Sequence, residues 1–224
     1  MHTLSQIEVN IALLPEYRLA DQLTKASHGI ASRYPALVRL GSAGLKLSLA
    51  PHLTLYQGAF PFKNIPKLDS RLTEIAKHEQ PHALTSTGLA YNQQEGSIED
   101  RKEVTDALVT LQENLITKVN SLREGRLMER DPAGNVLHGL LQAPGRLGEN
   151  IQATGYGEVG DPRTGGLFRP HDTLAWLEPG IQVDLAYEQS LLNPRDMSGT
   201  YPAIGLFALG PQGTCPQLLA QYSF

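Results

Sequence analysis

The sequence contains a single cysteine, Cys215, among its 224 residues. One thiol cannot form an internal disulfide, and it leaves the cysteine clusters that hold structural zinc without material. Basic residues are also few, since 19 Lys and Arg face 23 Asp and Glu, for a formal net charge of −4. A protein that coats long nucleic acid needs a broad basic face, so we expect no long nucleic acid among its partners. A small phosphate ester or an RNA end needs only a few local donors and stays allowed.

Long apolar segments are missing as well. No run approaches the roughly 18 apolar residues that a membrane-spanning helix requires. Met1 to Leu14 lacks the basic start of a signal peptide. We therefore expect a cytoplasmic protein without a membrane partner. The remaining composition, 41% hydrophobic and 19% charged, is that of an ordinary globular protein, and the length suits one large domain or two small lobes.

One short stretch occurs twice. Pro51-His52-Leu53-Thr54-Leu55 and Pro170-His171-Asp172-Thr173-Leu174 both read Pro-His-x-Thr-Leu. Apolar, β-prone residues border each copy, which predicts that both lie on strands. Side chains alternate along a strand, so the His and the Thr of each copy point to the same side. Each copy therefore presents an imidazole beside a hydroxyl, and two such copies can face each other across a cleft.

The other five histidines do not share this pattern. Pro81-His82-Ala83-Leu84 has the same start but lacks the threonine. His28 falls inside a predicted helix and is interpreted as a solvated position. His138 lies beside Gly139 without a chemical partner in the sequence. The repeated pair therefore carries the functional prediction alone.

A paired His-x-Thr on strands, with the two copies about 120 residues apart, resembles the two-histidine (2H) phosphoesterases. That family includes RNA 2′,3′-cyclic phosphodiesterases and 2′–5′ RNA ligase-like proteins. Its two histidines perform acid–base chemistry and its two threonines hold the phosphate. The resemblance implies that His52 and His171 are catalytic, that Thr54 and Thr173 bind the substrate, and that neither a metal nor a cofactor is needed. Which histidine is the acid and which the base stays open.

Strand alternation extends each predicted half-site by one residue. Tyr56 is expected on the face of the first motif, where it could stack on a base or a ribose, or simply pack. Arg169 is expected on the face of the second, where it could pair with a phosphate, or simply lie on the surface. By the same count Trp176 falls on the opposite face, in the core.

The residue between His and Thr should point to the back of its strand. Leu53 suits a buried position there, but Asp172 does not. We expect either that the back of the second motif is partly wet, or that Asp172 pairs with a nearby cation.

The remaining sequence alternates strands and helices. The patterns predict strands at 7–14, 37–40, 46–59, 82–91, 181–187, 203–209 and 217–224, and helices at 16–34, 66–78 and 104–122, the last being the longest. The charged run 99–103 is interpreted as a solvated helix start. Residues 125–170 hold ten of the 21 glycines and indicate mostly loops, with a strand or a helical turn at 136–141.

The predicted fold is α+β, with residues 1–224 forming a single 2H-phosphoesterase-like domain. It consists of two pseudo-symmetric lobes of mainly antiparallel sheet with outer helices, and its His-x-Thr strands face a central cleft.

Three functions compete. The leading one is a metal-independent phosphodiesterase that acts on a cyclic nucleotide or an RNA 2′,3′-cyclic phosphate through the two histidines. 2′–5′ ligation is a variant of it that the sequence does not separate from hydrolysis. The alternative is a module that binds a nucleotide or an RNA end without turnover. A metal hydrolase is third, because no carboxylate or cysteine lies at ligand spacing near His52 and His171. The exact substrate and the oligomeric state stay open.

Overall fold

The structure is a computed structural model that describes residues 5–41, 49–93, 95–191 and 196–224. The strands are β1 Gln6–Leu14, β2 Ala36–Arg39, β3 Leu53–Pro61, β4 His82–Leu84, β5 Ser86–Asn92, β6 Ser97–Lys102, β7 His171–Leu177, β8 Gly199–Tyr201, β9 Ala203–Ala208 and β10 Gln217–Ser223. The α-helices are α1 Tyr17–Ala31, α2 Ile65–Ala76, α3 Asp106–Val119, α4 Leu137–Leu140, α5 Arg146–Thr154 and α6 Val183–Leu191. Short 3₁₀ helices lie at Phe62–Asn64, Asn120–Arg123, Pro162–Thr164 and Pro211–Gly213.

One sheet of eight strands carries both motifs. Its order is β10-β9-β1-β3-β7-β6-β5, and β2 pairs with β7 beside that path. These strand pairings are antiparallel, and β4 and β8 form a separate antiparallel pair. The α+β class with a mainly antiparallel sheet and surrounding helices is therefore confirmed. Each half of the sheet contains one motif strand, whereas the division of a single domain into two lobes stays a prediction.

The two motif strands meet at one point. β3 and β7 share a single backbone pair, between Leu53 and Asp172. These are the middle residues of the two His-x-Thr motifs, and their side chains point to the back of the sheet. Continuing the antiparallel register by one residue sets His52 opposite Thr173 and Thr54 opposite His171. Both imidazoles and both hydroxyls therefore lie on the front face.

Both motif strands carry a β-bulge, at the same place in the motif. Between β1 and β3 the register passes from Tyr56 directly to Thr54, so Leu55 has no partner on β1. Between β6 and β7 it passes from Ala175 to Thr173, so Leu174 has none on β6. An extra residue reverses the alternation of all side chains beyond it.

The main core lies between the sheet and the helices behind it. The spacing of three and four residues that predicted α1, α2 and α3 is the spacing of their buried side chains. They are Leu19, Leu23 and Ile30, then Leu68, Leu72 and Ile75, then Leu108, Leu111 and Leu115. The Thr105 side chain accepts a hydrogen bond from the Leu108 N–H and caps α3. Within the described residues, no helix has both the length and the apolar character needed to cross a bilayer.

Three predictions about the elements are wrong. The run 99–103 is not a solvated helix start, because Glu99, Asp100 and Lys102 are buried on β6. The predicted strand 181–187 overlaps helix α6, in which Val183 and Ala186 are buried at helical spacing while Leu185 is 43% exposed. Finally, α3 has 14 residues and α1 has 15, so α3 is not the longest helix. The segment 136–141 contains the helical turn α4, one of its two predicted outcomes.

Asp172 does pair with a cation. Behind the sheet, Lys102 Nζ lies 2.5 Å from Asp100 Oδ2 and 3.0 Å from Asp172 Oδ2, and all three side chains are at most 1% exposed. Lys102 also donates to the Met197 carbonyl, and Tyr201 Oη donates to Asp172 Oδ2 at 2.5 Å. Burial lowers the pKa of Lys102, but Asp172 and Asp100 outweigh burial and raise it above its ordinary value. The ammonium therefore stays charged and holds the back of the second motif.

Lys102→Met should lower the free energy of unfolding by about 3–5 kcal/mol, because it leaves two buried carboxylates without their cation. Urea denaturation measures this change. The control is Lys25→Met, which breaks an exposed ion pair with Asp21 on α1 and should barely move the midpoint. Equal shifts in the two variants would show that the buried network contributes no more than a surface pair.

Candidate active site

A cleft of about 300 Å³ lies on the front of the sheet, and both motifs line it. His52 and Thr54 of the first motif and His171 and Thr173 of the second are all in its wall. The second motif's neighbour Arg169 lines it too. The structure thus brings together five of the six residues that the sequence proposed for the site.

The two imidazoles are held in the same way. His52 Nδ1 lies 2.9 Å from the Ala50 carbonyl oxygen, and His171 Nδ1 lies 2.6 Å from the Arg169 carbonyl oxygen. A carbonyl only accepts hydrogen bonds, so each Nδ1 carries the proton and donates it. Each neutral imidazole then has its lone pair on Nε2. Both rings therefore present the atom that takes up or gives back a proton.

Asn10, in the middle of β1, contacts both functional residues of the first motif. Its Nδ2 donates to the Gly213 carbonyl at 3.1 Å, which fixes the orientation of the amide. The same nitrogen donates to Thr54 Oγ1 at 3.0 Å and lies 3.4 Å from His52 Nε2. Both N–H groups of the amide are donated to Gly213 and Thr54, and the amide nitrogen accepts no hydrogen bond, so a proton on His52 Nε2 would find no acceptor there. Thr54 accepts from Asn10, so its own hydroxyl hydrogen is free to point into the cleft.

Burial acts on His52 in the same direction. Removal from water lowers the pKa of His52 below its ordinary value, although the bond to the Ala50 carbonyl opposes that shift. At neutral pH His52 is therefore the unprotonated imidazole that a general base requires.

The surroundings of His171 are charged. The Glu99 carboxylate lies 3.9 Å from His171 Nε2 through Oε1, and Glu99 is 1% exposed. Arg169 lies 3.6 Å from the same oxygen and 3.1 Å from Glu158 Oε1. Arg169 thus enters the cleft already paired with two carboxylates, and its buried Nε has no hydrogen-bond partner among the described residues. The two half-sites share a backbone design but differ in charge.

The prediction that Tyr56 faces the cleft is wrong. Tyr56 is 0% exposed, its ring packs against Phe60 and Tyr156, and its hydroxyl donates to the Thr154 carbonyl at 2.6 Å. Burial raises its pKa to about 12. The cause is the bulge at Leu55, which turns Tyr56 to the back of the sheet.

A bulge also explains why the predicted face of Trp176 is wrong, although its predicted burial is confirmed. The bulge at Leu174 brings Trp176 into the wall of the cleft, as the bulge at Leu55 brings Gln57. Both side chains are mostly buried, at 8% and 2% exposure, and Gln57 Oε1 has no hydrogen-bond partner in the part of the chain that the structure describes. Alternation counted from the sequence misses both residues, because a bulge has no signature in a motif of five residues.

Two further residues were missed for other reasons. Asn10 is a polar residue in the middle of an apolar strand, and that signal could have marked it as functional. Glu99 was hidden in the charged run 99–103, whose burial is a tertiary effect.

The glycine-rich region 125–170 forms the far wall of the cleft. Its helices α4 and α5 pack on Ala59 at the front of β3. The apolar part of this wall consists of Met128, Leu137, Leu140, Leu147 and Ile151, and the same region adds the polar side chains of Asp131, Asn135, Glu158 and Arg169. The region predicted as loops therefore shapes the site.

Solved structures share this fold over the whole chain. TT0787 of Thermus thermophilus has a TM-score of 0.60 and 17% identity, with 97% of each chain covered. E. coli LigT in complex with 3′-AMP has a TM-score of 0.54 and 13% identity, with 98% of each chain covered. A structure described as a phosphoesterase has the same score and identity, with 97% of this chain and 98% of the other covered. These likenesses show that the chain shares the fold of these proteins over its whole length.

No protein-family model and no curated protein matches the sequence.

Tyr56→Phe should lower the free energy of unfolding by about 1 kcal/mol, because it leaves the buried Thr154 carbonyl without its donor. Chemical denaturation measures the loss. Tyr17→Phe is the control, since Tyr17 is 85% exposed, and it should be neutral. An unchanged stability for Tyr56→Phe would mean that its hydrogen bond to Thr154 does not stabilise the fold.

Proposed function

We propose that the protein is a metal-independent phosphodiesterase that opens a cyclic phosphate, on a nucleotide or at an RNA 2′,3′-cyclic end, by general acid–base catalysis. One observation carries the proposal. Two imidazoles, each fixed at Nδ1 by the carbonyl two residues earlier, present Nε2 to one cleft together with two threonine hydroxyls. This set supplies a base, an acid and phosphate donors without a metal.

His52 is the base for the incoming water. Its Nε2 is unprotonated, because burial lowers its pKa and the Asn10 amide faces it. As the water oxygen bonds to phosphorus, Nε2 takes the water proton. His171 is the acid, and the buried Glu99 carboxylate lies 3.9 Å from its Nε2. It gives its proton to the ribose oxygen as the bond from that oxygen to phosphorus breaks. Ligation would use the same groups with an RNA 5′-hydroxyl in place of water: His52 takes the hydroxyl proton as its oxygen bonds to phosphorus, and His171 protonates the ring oxygen that leaves.

The threonines and Arg169 hold the phosphate. Thr54 and Thr173 lie across the strand junction from the opposite histidine, so each phosphate oxygen meets a hydroxyl next to an imidazole. Preorganised donors of this kind stabilise the charge that develops on the nonbridging oxygens. Arg169 lines the cleft and contributes the positive charge of its guanidinium. Tyr56 has no part in this proposal.

The solved structures support the choice of ligand. LigT has been crystallised with 3′-AMP and with phosphate. A nucleoside monophosphate has the size and the chemical groups of the product that we expect when a nucleoside 2′,3′-cyclic phosphate is opened.

A module that binds a nucleotide or an RNA end without turnover is the second candidate. The polar atoms of Gln57 and Arg169 that lack a partner among the described residues suit binding as well as catalysis. The distinction lies in whether a cyclic phosphate is consumed.

His52→Ala and His171→Ala should each lower kcat for a 2′,3′-cyclic nucleotide by about 100- to 10,000-fold, the usual scale of general acid–base catalysis. Product analysis by chromatography measures the rate and shows which ester bond opens. His78→Ala is the control, because His78 is exposed and lies outside the cleft lining. The wild-type rate should survive EDTA.

Three outcomes would contradict the proposal. Near-normal turnover by His171→Ala would make the second motif structural. Loss of turnover in EDTA, restored by zinc or manganese, would favour a metal hydrolase. If a cyclic nucleotide raises the melting temperature but is never consumed, the binding module stands.

The acid limb of the pH profile of kcat/KM should lie below 6.5, the usual imidazole value, because the folded protein lowers the pKa of His52. Asn10→Asp sets a carboxylate beside His52 Nε2 and should raise that limb by about 1–3 pH units, since the protonated ring gains a partner. Activity at pH 6 then falls and recovers at higher pH. Rates measured across the acid and neutral range follow this change.

Asn114→Asp on α3 makes the same change in net charge away from the cleft and should leave the profile in place. An acid limb that does not move in Asn10→Asp would show that His52 is not the base.

A further inference from the structure

The cleft has an unusual charge for a phosphate site. Among the described residues that line it, four are carboxylates, Glu95, Glu99, Asp131 and Glu158, and one, Arg169, is a guanidinium. That guanidinium is shared between Glu158 and Glu99, at 3.1 and 3.6 Å. Apart from the histidines, the described lining is therefore net negative.

Two observations show that this charge acts inside the cleft. Glu99 is 1% exposed, and its Oε2 has no hydrogen-bond partner among the described residues, although Arg101 Nε at the exposed rim lies 4.0 Å away. Burial raises the pKa of Glu95 and Arg169 opposes that shift, while Glu99 and Glu158 raise the pKa further. The charged form of a carboxylate that belongs to the site is thus less stable there than in water. A second phosphate on a ligand would meet the same negative potential.

The apolar part of the opposite wall offers a further anion no donor. Met128, Leu137, Leu140, Leu147 and Ile151 present hydrocarbon to the cleft. An additional phosphate placed against them would lose its water without gaining a donor. An uncharged ring, such as a nucleobase, loses little by the same contact and gains from burial of its apolar surface.

We infer that the cleft selects substrates with a single phosphate group, such as a nucleoside 2′,3′-cyclic phosphate, and disfavours nucleotides or RNA ends with further phosphates. This inference rests on the proposed function and narrows it. The two histidines and two threonines bind one phosphate, the carboxylates repel a second, and the apolar wall takes the base.

The test compares substrates that share one reacting group. They are adenosine 2′,3′-cyclic phosphate, the same compound with a 5′-phosphate, and a short oligoadenylate with a 2′,3′-cyclic end. The 5′-phosphate should lower kcat/KM by roughly 3- to 10-fold at low salt, and the RNA end by at least as much. Added NaCl should bring the kcat/KM values of the three substrates closer together, because it screens the repulsion between the carboxylates and the additional phosphates.

Glu95→Gln removes one carboxylate for which the described residues show no ion pair. It should reduce the ratio of kcat/KM between adenosine 2′,3′-cyclic phosphate and its 5′-phosphorylated form by about 2- to 4-fold. Glu113→Gln on α3 is the matched control. It makes the same change in net charge on an exposed position outside the cleft lining and should leave the ratio unchanged.

Binding gives a readout that does not depend on turnover. Adenosine 3′-phosphate should bind more tightly than adenosine 3′,5′-bisphosphate by a similar factor, as measured by calorimetry. The inference is overturned if the doubly phosphorylated ligand binds equally well, or if the RNA end is the better substrate. In that case the proposed function stands and Arg101 becomes the candidate contact. If none of the three substrates is consumed, the proposed function fails, and the two Kd values alone decide whether the cleft prefers one phosphate.

Discussion

The site depends on one backbone pair. Leu53 and Asp172 join β3 to β7 at the centre of the sheet, and these two fully described strands share no other pair. Because both residues are the middle of a His-x-Thr motif, this contact sets two imidazoles and two hydroxyls on one face. The strands separate on either side of it and leave room for a ligand. A longer ladder would close the cleft, and a shift by one residue would turn all four side chains to the back.

Asp172, the partner of Leu53 in that pair, is a charged residue at a buried position where the first motif has a leucine. Burying Asp172 is tolerable because Lys102 and Tyr201 reach it from the back of the sheet. Such a network does not stabilise more than apolar packing of the same volume. It does fix the position of the strand, because every partner has a defined direction. The front of the second motif thus depends on polar contacts, whereas the front of the first depends on Leu53 in the hydrocarbon core.

The sequence predicted the fold class, the three long helices, and the four motif residues that line the cleft. These features depend on local periodicity and on a repeated motif, both of which are written in the chain. The faces of Tyr56 and Trp176 could not be predicted, because each lies beyond a bulge that only the register of a neighbouring strand reveals. The burial of Glu99, Asp100 and Lys102 was hidden for a related reason. A run of charges becomes internal only when other strands cover both sides of it. Asn10 carried a readable signal, a lone amide in an apolar strand.

The two halves of the site match in backbone but not in chemistry. At the position that pairs with the motif threonine, β1 has Ala12 and β6 has Glu99. A cyclic phosphate has two ester oxygens, and a perfectly twofold site would treat them alike. In the proposed function, the ring would lie beside a carboxylate on the side of the second motif and beside no such charge at the matching position of the first. Regioselectivity, the choice of which ring oxygen leaves, would then originate outside the repeated motif, in a pair of residues that the twofold relation makes comparable and the sequence makes different.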